Sequence, residues 1–589
     1  MYVFGCNLRI AGNAQNMCGA RNTAHFSRLI KGEYRLMLER YLEKTEFNSY
    51  EDFIENYRIS YPDNFNFGFD IVDEWANMDS EKRALVWCDD NGNEKTLTFA
   101  DISRLSNKTV HFLRSIGIKK GSRVMLILRR RWEYWVIATA LHKLGAILIP
   151  ATLQLTAKDV VYRVNAALVD AMFCVNDSFV VEQTEKAMPQ SPTVKHLVLV
   201  DGERSGWHTF LDAIDPFPET LERPTGDDAP NVRDTMLVYF TSGTTGMPKM
   251  VSHNFLYPLG HIITAKYWQC VREDRLHMSV SDSGWAKFGW GKIYGQWICG
   301  AVIFAYDMDK FVPTKLLSMI EKYRLTTFCA PPTMYRFMLQ ENVEAYDLSS
   351  IERFCTAGEP LNPEVYNRWK RLTGCEIAEG FGQSEGPVIL ANFPWYDARP
   401  GSMGKPSPTF DLHLIGENGR ECDDGEEGEI IISGLDKFMP VGLFTGYMGD
   451  DCVVRELSAE GFYNLKDVAW RDPDGYYWFV GRHDDVIKCS GYRIGPFEVE
   501  SALLEHPSVV ECAITAAPDP VRGQIVKATV VLADGYTASD KLVKELQNHV
   551  KKVTAPYKYP RIVEFVDELP KTFSGKIKRG EIRKIGGID

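Results

Sequence analysis

The sequence lacks the features that mark membrane proteins, disulfide-rich proteins and nucleic-acid-binding proteins. No run approaches the roughly 18 uninterrupted apolar residues of a membrane span, and the nearest, residues 135–150, is interrupted by His142 and Lys143. The thirteen cysteines include no C-x-x-C pair and no metal-ligand spacing, which favours reduced thiols in a cytosol. The net charge of -12 argues against nucleic acid or an anionic membrane as the main partner.

Acidic residues are also missing from the first 32 positions, which carry Arg9, Arg21, Arg28 and Lys31. This composition is faintly similar to that of an organelle transit peptide. The stretch holds a single serine and shows poor helical amphipathicity, so residues 1–34 are interpreted as a disordered leader or an over-long start. We therefore expect a cytoplasmic protein, with the mitochondrial matrix as the alternative.

A length of 589 residues is too great for one ordinary core, so two or more domains are expected. Up to about residue 360, strand-like apolar runs alternate with helical patterns, as in 123–128, 132–144 and 146–149. This alternation predicts an α/β domain with largely parallel sheets and helices on their faces.

The pattern changes past about residue 400. Short strands with many turns predict a β-rich subdomain over about 400–481, which completes a large domain spanning 35–481. Residues 482–589 read as a small α+β domain, with helical patterns at 497–505 and 539–553.

One loop of hydroxyl and glycine residues follows an apolar run, 236–240, that is predicted to be a buried strand. Its polar and glycine positions are Thr241, Ser242, Gly243, Thr244, Thr245, Gly246 and Lys249. Glycines let the backbone approach a ligand, hydroxyls donate to phosphate oxygens, and a lysine adds a positive charge. It is not the G-x-x-x-x-G-K-[ST] phosphate loop, because no Ser or Thr follows Lys249. A plain surface turn is the alternative interpretation.

Four further stretches carry glycines and polar groups where core packing is not expected. They are 358–361 (Gly-Glu-Pro-Leu), 379–386 (Glu-Gly-Phe-Gly-Gln-Ser-Glu-Gly), Asp467 with Arg482 around a predicted hairpin, and 570–576 (Pro-Lys-Thr-Phe-Ser-Gly-Lys). Each stretch alone is also compatible with a turn or a group of solvated charges.

In this order and spacing the set resembles the AMP-forming adenylating superfamily of acyl-CoA synthetases, adenylation domains and luciferases. The resemblance extends from about residue 35 to 584. The medium-chain acyl-CoA synthetase branch is the most similar, on the evidence of 281–287 (Ser-Asp-Ser-Gly-Trp-Ala-Lys), 490–498 (Ser-Gly-Tyr-Arg-Ile-Gly-Pro-Phe-Glu) and 519–523 (Asp-Pro-Val-Arg-Gly). The expected fold is α/β, with a mobile α+β domain at the C-terminal end.

The resemblance implies a two-step reaction with ATP, Mg²⁺ and coenzyme A. A carboxylate attacks the α-phosphorus of ATP, and the thiol of coenzyme A then displaces AMP from the acyl-adenylate. The loop 241–249 would bind the β- and γ-phosphates, and Glu385 would bind the magnesium ion. Lys576 would be the mobile catalytic lysine. The other ATP-binding positions would be Gly358, Glu359 and Pro360 at the adenine, Ser384 at the α-phosphate, Asp467 and Arg482 at the ribose, and Glu379, Gly380, Phe381, Gly382 and Gln383 around them.

The family also implies rotation of the small domain between the two half-reactions, about a hinge at Asp484. After rotation Ser490, Gly491 and Tyr492 would guide the pantetheine arm. Arg522 would meet the phosphates of coenzyme A, whereas Arg493 would assist the phosphates of ATP before rotation. Acetylation of Lys576 by an acetyltransferase, reversed by a deacetylase, would remove the charge and switch off adenylation.

Two positions depart from the family's patterns. Ser384 replaces a threonine and keeps its hydroxyl group, while Phe381 replaces a tyrosine. A Thr-Gly-Asp is common where this chain has Leu465, Lys466 and Asp467, and a lysine in place of glycine alters the backbone of that loop.

The acyl pocket is expected to admit a medium-chain or short branched fatty acid. Acetate-specific members place a tryptophan where this chain has Gly382, so the glycine leaves room for a longer chain. Trp285, with Lys287 nearby, would close part of the pocket from another side, or Trp285 is an ordinary core aromatic. Benzoate-like acids remain an alternative substrate class, and acetate or propionate is less favoured.

Two other protein classes compete with this interpretation. An adenylation protein that loads a carrier protein is disfavoured because the sequence ends at Asp589 without a carrier domain. A nucleotide sensor without catalysis is disfavoured because Glu385, Asp467, Arg482 and Lys576 are all present. The oligomeric state, monomer or homodimer, does not follow from the sequence.

Overall fold

The computed structural model describes residues 37–241, 247–489, 492–571 and 577–585. The predicted leader, 1–34, lies outside these residues. The helices, numbered along the chain, are α1 (Tyr50–Asn56), α2 (Glu74–Met78), α3 (Phe99–Ser115), α4 (Glu133–Leu144), α5 (Ala157–Ala167), α6 (Ser178–Ala187), α7 (Phe210–Ile214), α8 (Tyr257–Ile262), α9 (Ala286–Gly291), α10 (Tyr294–Ile298), α11 (Pro313–Tyr323), α12 (Pro332–Met338), α13 (Pro363–Thr373), α14 (Pro496–Leu504), α15 (Asp540–Val553) and α16 (Arg579–Ile585).

The strands of the described residues are numbered β1 to β27 in chain order. They are β1 (Arg83–Asp89), β2 (Glu94–Thr98), β3 (Arg123–Ile127), β4 (Ile147–Pro150), β5 (Ala171–Cys174), β6 (His196–Leu199), β7 (His208–Thr209), β8 (Thr235–Thr241), β9 (Lys249–Asn254), β10 (Leu276–Ser279), β11 (Val302–Asp307), β12 (Thr327–Cys329), β13 (Arg353–Ala357), β14 (Ile377–Phe381), β15 (Leu390–Ala391), β16 (Ser402–Pro406), β17 (Leu412–Ile415), β18 (Glu427–Ile432), β19 (Gly446–Met448), β20 (Val454–Glu456), β21 (Tyr463–Arg471), β22 (Tyr477–Arg482), β23 (Ile487–Cys489), β24 (Tyr492–Ile494), β25 (Val509–Asp519), β26 (Gly523–Leu532) and β27 (Ile562–Phe565).

Within the described residues these strands form three sheets. The largest has the order β17-β18-β21-β22-β16-β15-β14-β13-β12-β10-β11-β1-β2, and the second has the order β20-β19-β9-β8-β4-β3-β5-β6-β7. The central pairs of both sheets are parallel, such as β13 with β14 and β3 with β4. The third sheet, β24-β23-β26-β25 with β27 beside β26, belongs to the C-terminal part of the chain. The predicted α/β fold with a smaller α+β unit is confirmed.

Helix α4 lies in the interior of the large domain. Every residue of α4 is buried, so the helix is covered on all sides and has no solvent face. The predicted helix 132–144 and the flanking strands match α4, β3 and β4 closely, because apolar runs of this length are typical of buried elements. Helix α3 begins at Phe99 because Thr98 and Asp101 form a capping box.

The predicted β-rich subdomain is not a separate sheet. Strands β16 to β18, β21 and β22 extend the largest sheet, joined to it through the antiparallel pair β15–β16. The predicted short strands with many turns are present in this part of the chain. Their pairing with the edge of a sheet built from distant residues leaves no local pattern in the sequence. The domain boundaries at 35, 481 and 589 stay a prediction.

The C-terminal α+β unit contacts the large domain on two sides. On one side Asn362 Nδ2 donates to the Ser501 carbonyl at 3.4 Å, and Arg336 faces Glu511 at 3.6 Å. On the other side Lys488 Nζ lies 2.9 Å from Glu417 Oε1. The small unit is therefore docked against the large one in a defined pose.

Candidate active site

The hydroxyl- and glycine-rich loop is closed by an antiparallel pair of strands. Strand β8 ends at Thr241, whose register partner is Lys249 at the start of β9. The apolar residues of β8 are buried, as the sequence predicts for a strand that carries a loop to a sheet edge. The ammonium of Lys249 is exposed and lies 5.0 Å from the centre of the Tyr447 ring. The predicted phosphate contacts Ser242 to Gly246 lie outside the described residues.

Glu385 is held in place by a tyrosine from another part of the chain. The Tyr447 hydroxyl donates to Glu385 Oε1 at 2.8 Å, and the Phe444 N–H donates to the Glu385 carbonyl at 2.7 Å. Burial raises the pKa of Glu385, while the Tyr447 hydrogen bond and the charge of Arg482 act in the opposite direction. A half-buried carboxylate with one ordered donor is suited to binding a hard cation.

Asp467 and Arg482 are direct register partners on the neighbouring strands β21 and β22. Arg482 Nη1 donates to Asp467 Oδ1 at 3.1 Å, and this buried carboxylate raises the pKa of Arg482 against the effect of burial. Gln383 donates from Nε2 to Asp467 Oδ2 at 2.5 Å, and its Oε1 accepts from the Tyr463 hydroxyl at 2.8 Å. Gln383 thus joins the loop after β14 to the Asp467–Arg482 pair.

Lys466 adopts the left-handed conformation, with φ of 60°. This is the position where the family commonly has glycine, and a side chain there costs of order 1 kcal/mol in backbone strain. The Asn464 side chain accepts from the Lys466 N–H at 2.8 Å. Lys466 therefore occupies a left-handed position at some energetic cost, and the next residue, Asp467, lies on β21 opposite Arg482.

The predicted adenine loop follows β13. Gly358 has φ of 99°, which requires glycine, and a Cβ there would also lie 3.2 Å from Lys287 Nζ. The Lys287 ammonium donates to the Ala357 carbonyl. Glu359 Oε2 accepts from the Thr333 hydroxyl at 2.8 Å, whereas Glu359 Oε1 is buried and has no hydrogen-bond partner among the described residues. The loop therefore offers one free carboxylate oxygen.

Glu379 lies beneath this loop, on β14. Its Oε1 accepts from the Leu361 N–H at 3.3 Å, and its Oε2 is buried without a partner in the described part of the chain. Burial raises the pKa of Glu379 to about 8. The side chain is therefore a neutral acid at physiological pH, able to donate as well as accept a hydrogen bond.

The space beside Gly382 is occupied by a tryptophan that the sequence interpretation did not single out. A Cβ at Gly382 would lie 2.4 Å from Trp290 Cη2, and the Trp290 indole is buried in an edge-on contact with Trp268. Trp285 is half-buried at the N-terminus of α9, which argues against an ordinary core aromatic. Trp290, five residues further along the chain, fills the space next to Gly382.

The residues predicted to bind coenzyme A lie near one another in the sheet of the small domain. Cys489 pairs with Tyr492 and with Gly523, the neighbour of Arg522. Tyr492 is 52% exposed and stacks on Tyr557 with 4.2 Å between ring centres. Asp484 is exposed in the turn directly after β22. Ser490, Gly491 and Lys576 lie outside the described residues.

Arg493 is not brought to the Glu385 cluster in this pose. Its guanidinium forms ion pairs with Glu417 at 3.0 Å and with Glu427 at 3.6 Å, both in the β-rich part of the large domain. The predicted contact with the phosphates of ATP is therefore not formed by Arg493 here.

Three residues of the site were missed by sequence reasoning. Tyr447, Trp290 and His253 each contact a predicted site residue, and the His253 ring nitrogen Nε2 lies 2.8 Å from the Ser384 carbonyl. Tyr447 is 62 residues from Glu385, so no local spacing connects them. Of the three, only Trp290 could have been found from the sequence, because it lies three residues after Lys287 on the same helix and side chains at this spacing are neighbours.

Family patterns match most of the chain. The pattern described as AMP-binding enzyme matches residues 72–448. The chain belongs to this family. The family's C-terminal domain pattern matches residues 498–576. This range lies in the small domain and includes Arg522. The predicted membership of the adenylating superfamily is confirmed.

The curated relatives of this family member are acyl-coenzyme A synthetases. Acyl-coenzyme A synthetase ACSM3, mitochondrial, of Mus musculus is 39% identical over 95% of this chain and 97% of its own length. Acyl-coenzyme A synthetase ACSM4, mitochondrial, of Homo sapiens is 41% identical over 89% of this chain and 90% of its own length. These relatives confirm the predicted acyl-CoA synthetase branch.

Solved structures of the family share the fold. The anthranilate CoA ligase AuaEII in complex with anthranoyl-AMP has a TM-score of 0.80 and 28% identity, covering 89% of this chain and 98% of its own. The benzoate CoA ligase from Burkholderia xenovorans LB400 has a TM-score of 0.76 and 26% identity, covering 88% and 100%. No helix among the described residues is both long and apolar enough to cross a bilayer.

Proposed function

We propose that the protein is an AMP-forming acyl-CoA synthetase that activates a medium-chain or short branched-chain fatty acid. The observation that carries the proposal is the hydrogen-bonded set of Gln383, Asp467 and Arg482, on the loop after β14 and on strands β21 and β22, with Glu385 within reach of the charge of Arg482. Glu359, in the loop after β13, and Glu379, on β14, each have one buried carboxylate oxygen without a hydrogen-bond partner among the described residues. An arrangement of this kind binds a nucleotide rather than stabilising a core.

In the first half-reaction a fatty-acid carboxylate oxygen forms a bond to the α-phosphorus of ATP while the bond to pyrophosphate breaks. Negative charge grows on the departing pyrophosphate, so donors and cations there lower the barrier. Thr241 and Lys249, at the two ends of the loop, flank the place we assign to those phosphates. Asp467 would accept from the ribose hydroxyls.

In the second half-reaction the coenzyme A sulfur, having lost its proton, attacks the acyl carbon, and AMP leaves as the bond to phosphate oxygen breaks. Tyr492 and Arg522, which the family resemblance assigns to coenzyme A, lie near each other on the small domain, because Cys489 pairs with Tyr492 and with Gly523, the neighbour of Arg522. We infer that the small domain rotates about Asp484 to bring them in. Arg493 would leave Glu417 and Glu427 in the same motion.

Glu385 fits the magnesium ion that the family implies. Magnesium is commonly bound by one or two carboxylates together with substrate phosphates, and no group of three or more metal-binding side chains occurs among the described residues. When bound, the ion supplies positive charge to the phosphate oxygens. The Tyr447 hydroxyl orients the carboxylate for that contact.

The acid is proposed to lie against Trp290 and Gly382. An indole wall offers an apolar surface to an alkyl chain, and no bulky side chain projects from position 382 to shorten the pocket. The same wall offers an aromatic face to a planar acid, and an anthranilate CoA ligase and a benzoate CoA ligase are among the similar structures. An aryl acid of the benzoate type is therefore the second candidate substrate.

Pyrophosphate release tests the proposal directly. Purified protein is mixed with ATP, magnesium and single acids: acetate, butyrate, 2-methylbutyrate, hexanoate, octanoate and benzoate. We expect release with the C4 to C8 acids, and a thioester detected by mass spectrometry once coenzyme A is added. Reactions without acid, and with the variant Asp467→Asn, serve as controls.

Each alternative predicts a different outcome. Absence of pyrophosphate with every acid would favour a nucleotide sensor. Release of pyrophosphate without a thioester would favour an adenylation protein that loads a carrier. The fastest turnover on acetate would contradict the pocket assigned to Gly382 and Trp290, and the fastest on benzoate would select the aryl class.

We also propose the mitochondrial matrix as the site of action instead of the cytoplasm. The support is the acid-free basic composition of residues 1–32 together with the mitochondrial names of the relatives. A fluorescent fusion of the full chain is expected to colocalise with mitochondria. Deletion of residues 1–34 is expected to leave the fusion in the cytoplasm, and identical distributions would contradict the proposal.

A further inference from the structure

A line of polar contacts connects the adenine loop to the small domain. The Thr333 hydroxyl donates to Glu359 Oε2 at 2.8 Å and accepts from Arg336 Nη2 at 3.0 Å. The same guanidinium lies 3.6 Å from Glu511 Oε1. Lys571 Nζ donates to both oxygens of Glu511, at 2.7 and 2.5 Å. We call Glu359, Thr333, Arg336, Glu511 and Lys571 the interdomain network.

The network crosses the domain boundary on rigid elements. Thr333 and Arg336 lie on helix α12, one turn apart, and Glu511 lies on strand β25 of the small domain. The side chain of Glu511 is only 10% exposed and that of Arg336 23%, so solvent and salt screen their attraction less than at an open surface. Removing one partner would leave a desolvated charge without its counterpart.

Both ends of the network meet residues of the proposed reaction. At the small-domain end, Lys571 pairs with Ile577 in an antiparallel bridge, and the chain between them carries Lys576. At the other end, Glu359 has a second oxygen, Oε1, that is buried and unpartnered among the described residues. A ligand that engages that oxygen would fix the carboxylate to which Thr333 donates.

We propose that Thr333, Arg336 and Glu511 are positioning residues that couple nucleotide binding at the adenine loop to docking of the small domain against helix α12. The inference rests on the proposed function. In the docked pose Glu511 binds Lys571 within the small domain, and Arg336 connects Glu511 to helix α12 next to the adenine loop. Because coupling between two sites is reciprocal, docking strengthens nucleotide binding as much as the nucleotide strengthens docking.

The first test separates the half-reactions. Thr333→Val keeps the shape of the side chain but removes both hydrogen bonds, and Glu511→Gln removes the charge that Arg336 and Lys571 share. We expect each variant to slow pyrophosphate release about ten-fold, a typical coupling for residues in one network. Thioester formation from a supplied acyl-adenylate is expected to stay within about two-fold of the wild type, because that step uses the other pose.

Matched controls remove comparable interactions elsewhere. Glu564→Gln breaks an ion pair of the same kind inside the small domain, 2.8 Å from Lys527. Thr109→Val removes a hydroxyl that donates only to its own helix, to the Leu105 carbonyl. Both controls are expected to leave both half-reactions at wild-type rates. Equal loss in the two half-reactions, or equal effects of Glu511→Gln and Glu564→Gln, would overturn the inference.

The second test does not depend on turnover. ATP affinity is measured by calorimetry without acid, for the wild type, Glu511→Gln and Glu564→Gln. Glu511 lies across the domain boundary from the adenine loop, so weaker ATP binding in Glu511→Gln, but not in Glu564→Gln, is expected from the coupling. Unchanged affinity in both variants would exclude it.

A double variant shows whether the residues act as one unit. If Arg336→Met and Glu511→Gln break the same network, their combination is expected to slow pyrophosphate release no more than either alone. Multiplying effects would contradict a shared role. A wild type that releases no pyrophosphate with any acid but shows the affinity difference would contradict the proposed function and leave the network intact, so the two failures are distinguishable.

Discussion

Glu379 shows how burial changes the chemistry of a single carboxyl group. Its pKa is raised to about 8, from an ordinary value of 4.5, because the side chain is removed from water. Between those two values the folded protein holds a proton that the unfolded chain has released. The free energy of unfolding therefore falls as pH rises through this window, and the contribution of the group is fully present only below the lower value.

Glu379→Gln is expected to remove this pH-dependent component, since glutamine stays neutral at every pH. The melting temperature of the variant, relative to the wild type, should rise by at least ~2 °C between about pH 5 and about pH 8. Differential scanning calorimetry at several pH values measures the change. The exposed Glu55→Gln is the control, and a constant difference across the pH range would contradict the raised pKa.

Gly382 is expected to tolerate no side chain while Trp290 is present. A Cβ would lie 2.4 Å from Trp290 Cη2 and 2.7 Å from the Pro387 carbonyl oxygen, and overpacking of this kind costs roughly 1–3 kcal/mol. Gly382→Ala should therefore lower the free energy of unfolding by that amount and raise the KM for octanoate. Denaturant unfolding and steady-state kinetics measure both effects.

A double variant shows whether the contact with Trp290 is the reason that position 382 does not tolerate a side chain. Gly382→Ala combined with Trp290→Ala should recover part of the affinity for the acid. A double variant no better than Gly382→Ala alone would place the decisive contact on Pro387.

At the scale of elements, strand β19 acts on the site through one side chain. It pairs with β9 at the edge of the second sheet, and this places the Tyr447 hydroxyl on Glu385 and the Tyr447 ring under Lys249. Removing the hydroxyl takes away a donor that favours the charged carboxylate, so the pKa of Glu385 rises further.

Tyr447→Phe is consequently expected to move the acid limb of the pH–rate profile of adenylation to higher pH. Below that limb Glu385 is protonated and binds magnesium poorly. Rates of pyrophosphate release between about pH 5 and about pH 9 give the profile. Tyr323→Phe, which loses a hydroxyl at the surface contact with Glu94, should keep the wild-type profile. An unchanged acid limb in Tyr447→Phe would show that another group controls it.

Helices and strands with a clear pattern of apolar residues were predictable from the sequence, whereas contacts between distant segments were not. The predicted helix at 132–144 and the predicted strand at 236–240 match α4 and β8 to within one residue at each end. Their apolar residues and the glycine after the helix, Gly145, are local signals. The pairing of β19 with β9 and the packing of Trp290 on Gly382 depend on tertiary structure, which leaves no mark in a short window.

At the scale of the whole molecule, the small domain is docked with two sets of contacts that cannot both persist if it rotates. One set is the interdomain network, and the other is the pairing of Lys488 and Arg493 with Glu417. The candidate site loops of the large domain, which begin after β8, β13 and β14, were predictable because each follows a strand. Which small-domain residues face them depends on the pose, and no sequence pattern specifies a pose.

Lys576→Ala tests the rotation between half-reactions. It is expected to slow acyl-adenylate formation by at least about a hundred-fold, because the charge on the attacked phosphate loses its mobile cation. Thioester formation from supplied acyl-adenylate should remain largely intact. Lys578→Ala, which removes a surface ion pair with Glu581, is the control. Equal losses in the two half-reactions of Lys576→Ala would refute alternation.

The contact between Trp290 and Gly382 also restricts how this pocket can evolve. A tryptophan at position 382, as in acetate-specific members of the family, cannot coexist with the indole already there. A lineage moving toward short acids must first shrink residue 290 and pass through an ancestor with an enlarged, permissive pocket. The reverse order would pass through a protein that folds poorly. The two positions therefore form an epistatic pair whose substitutions have a preferred historical order.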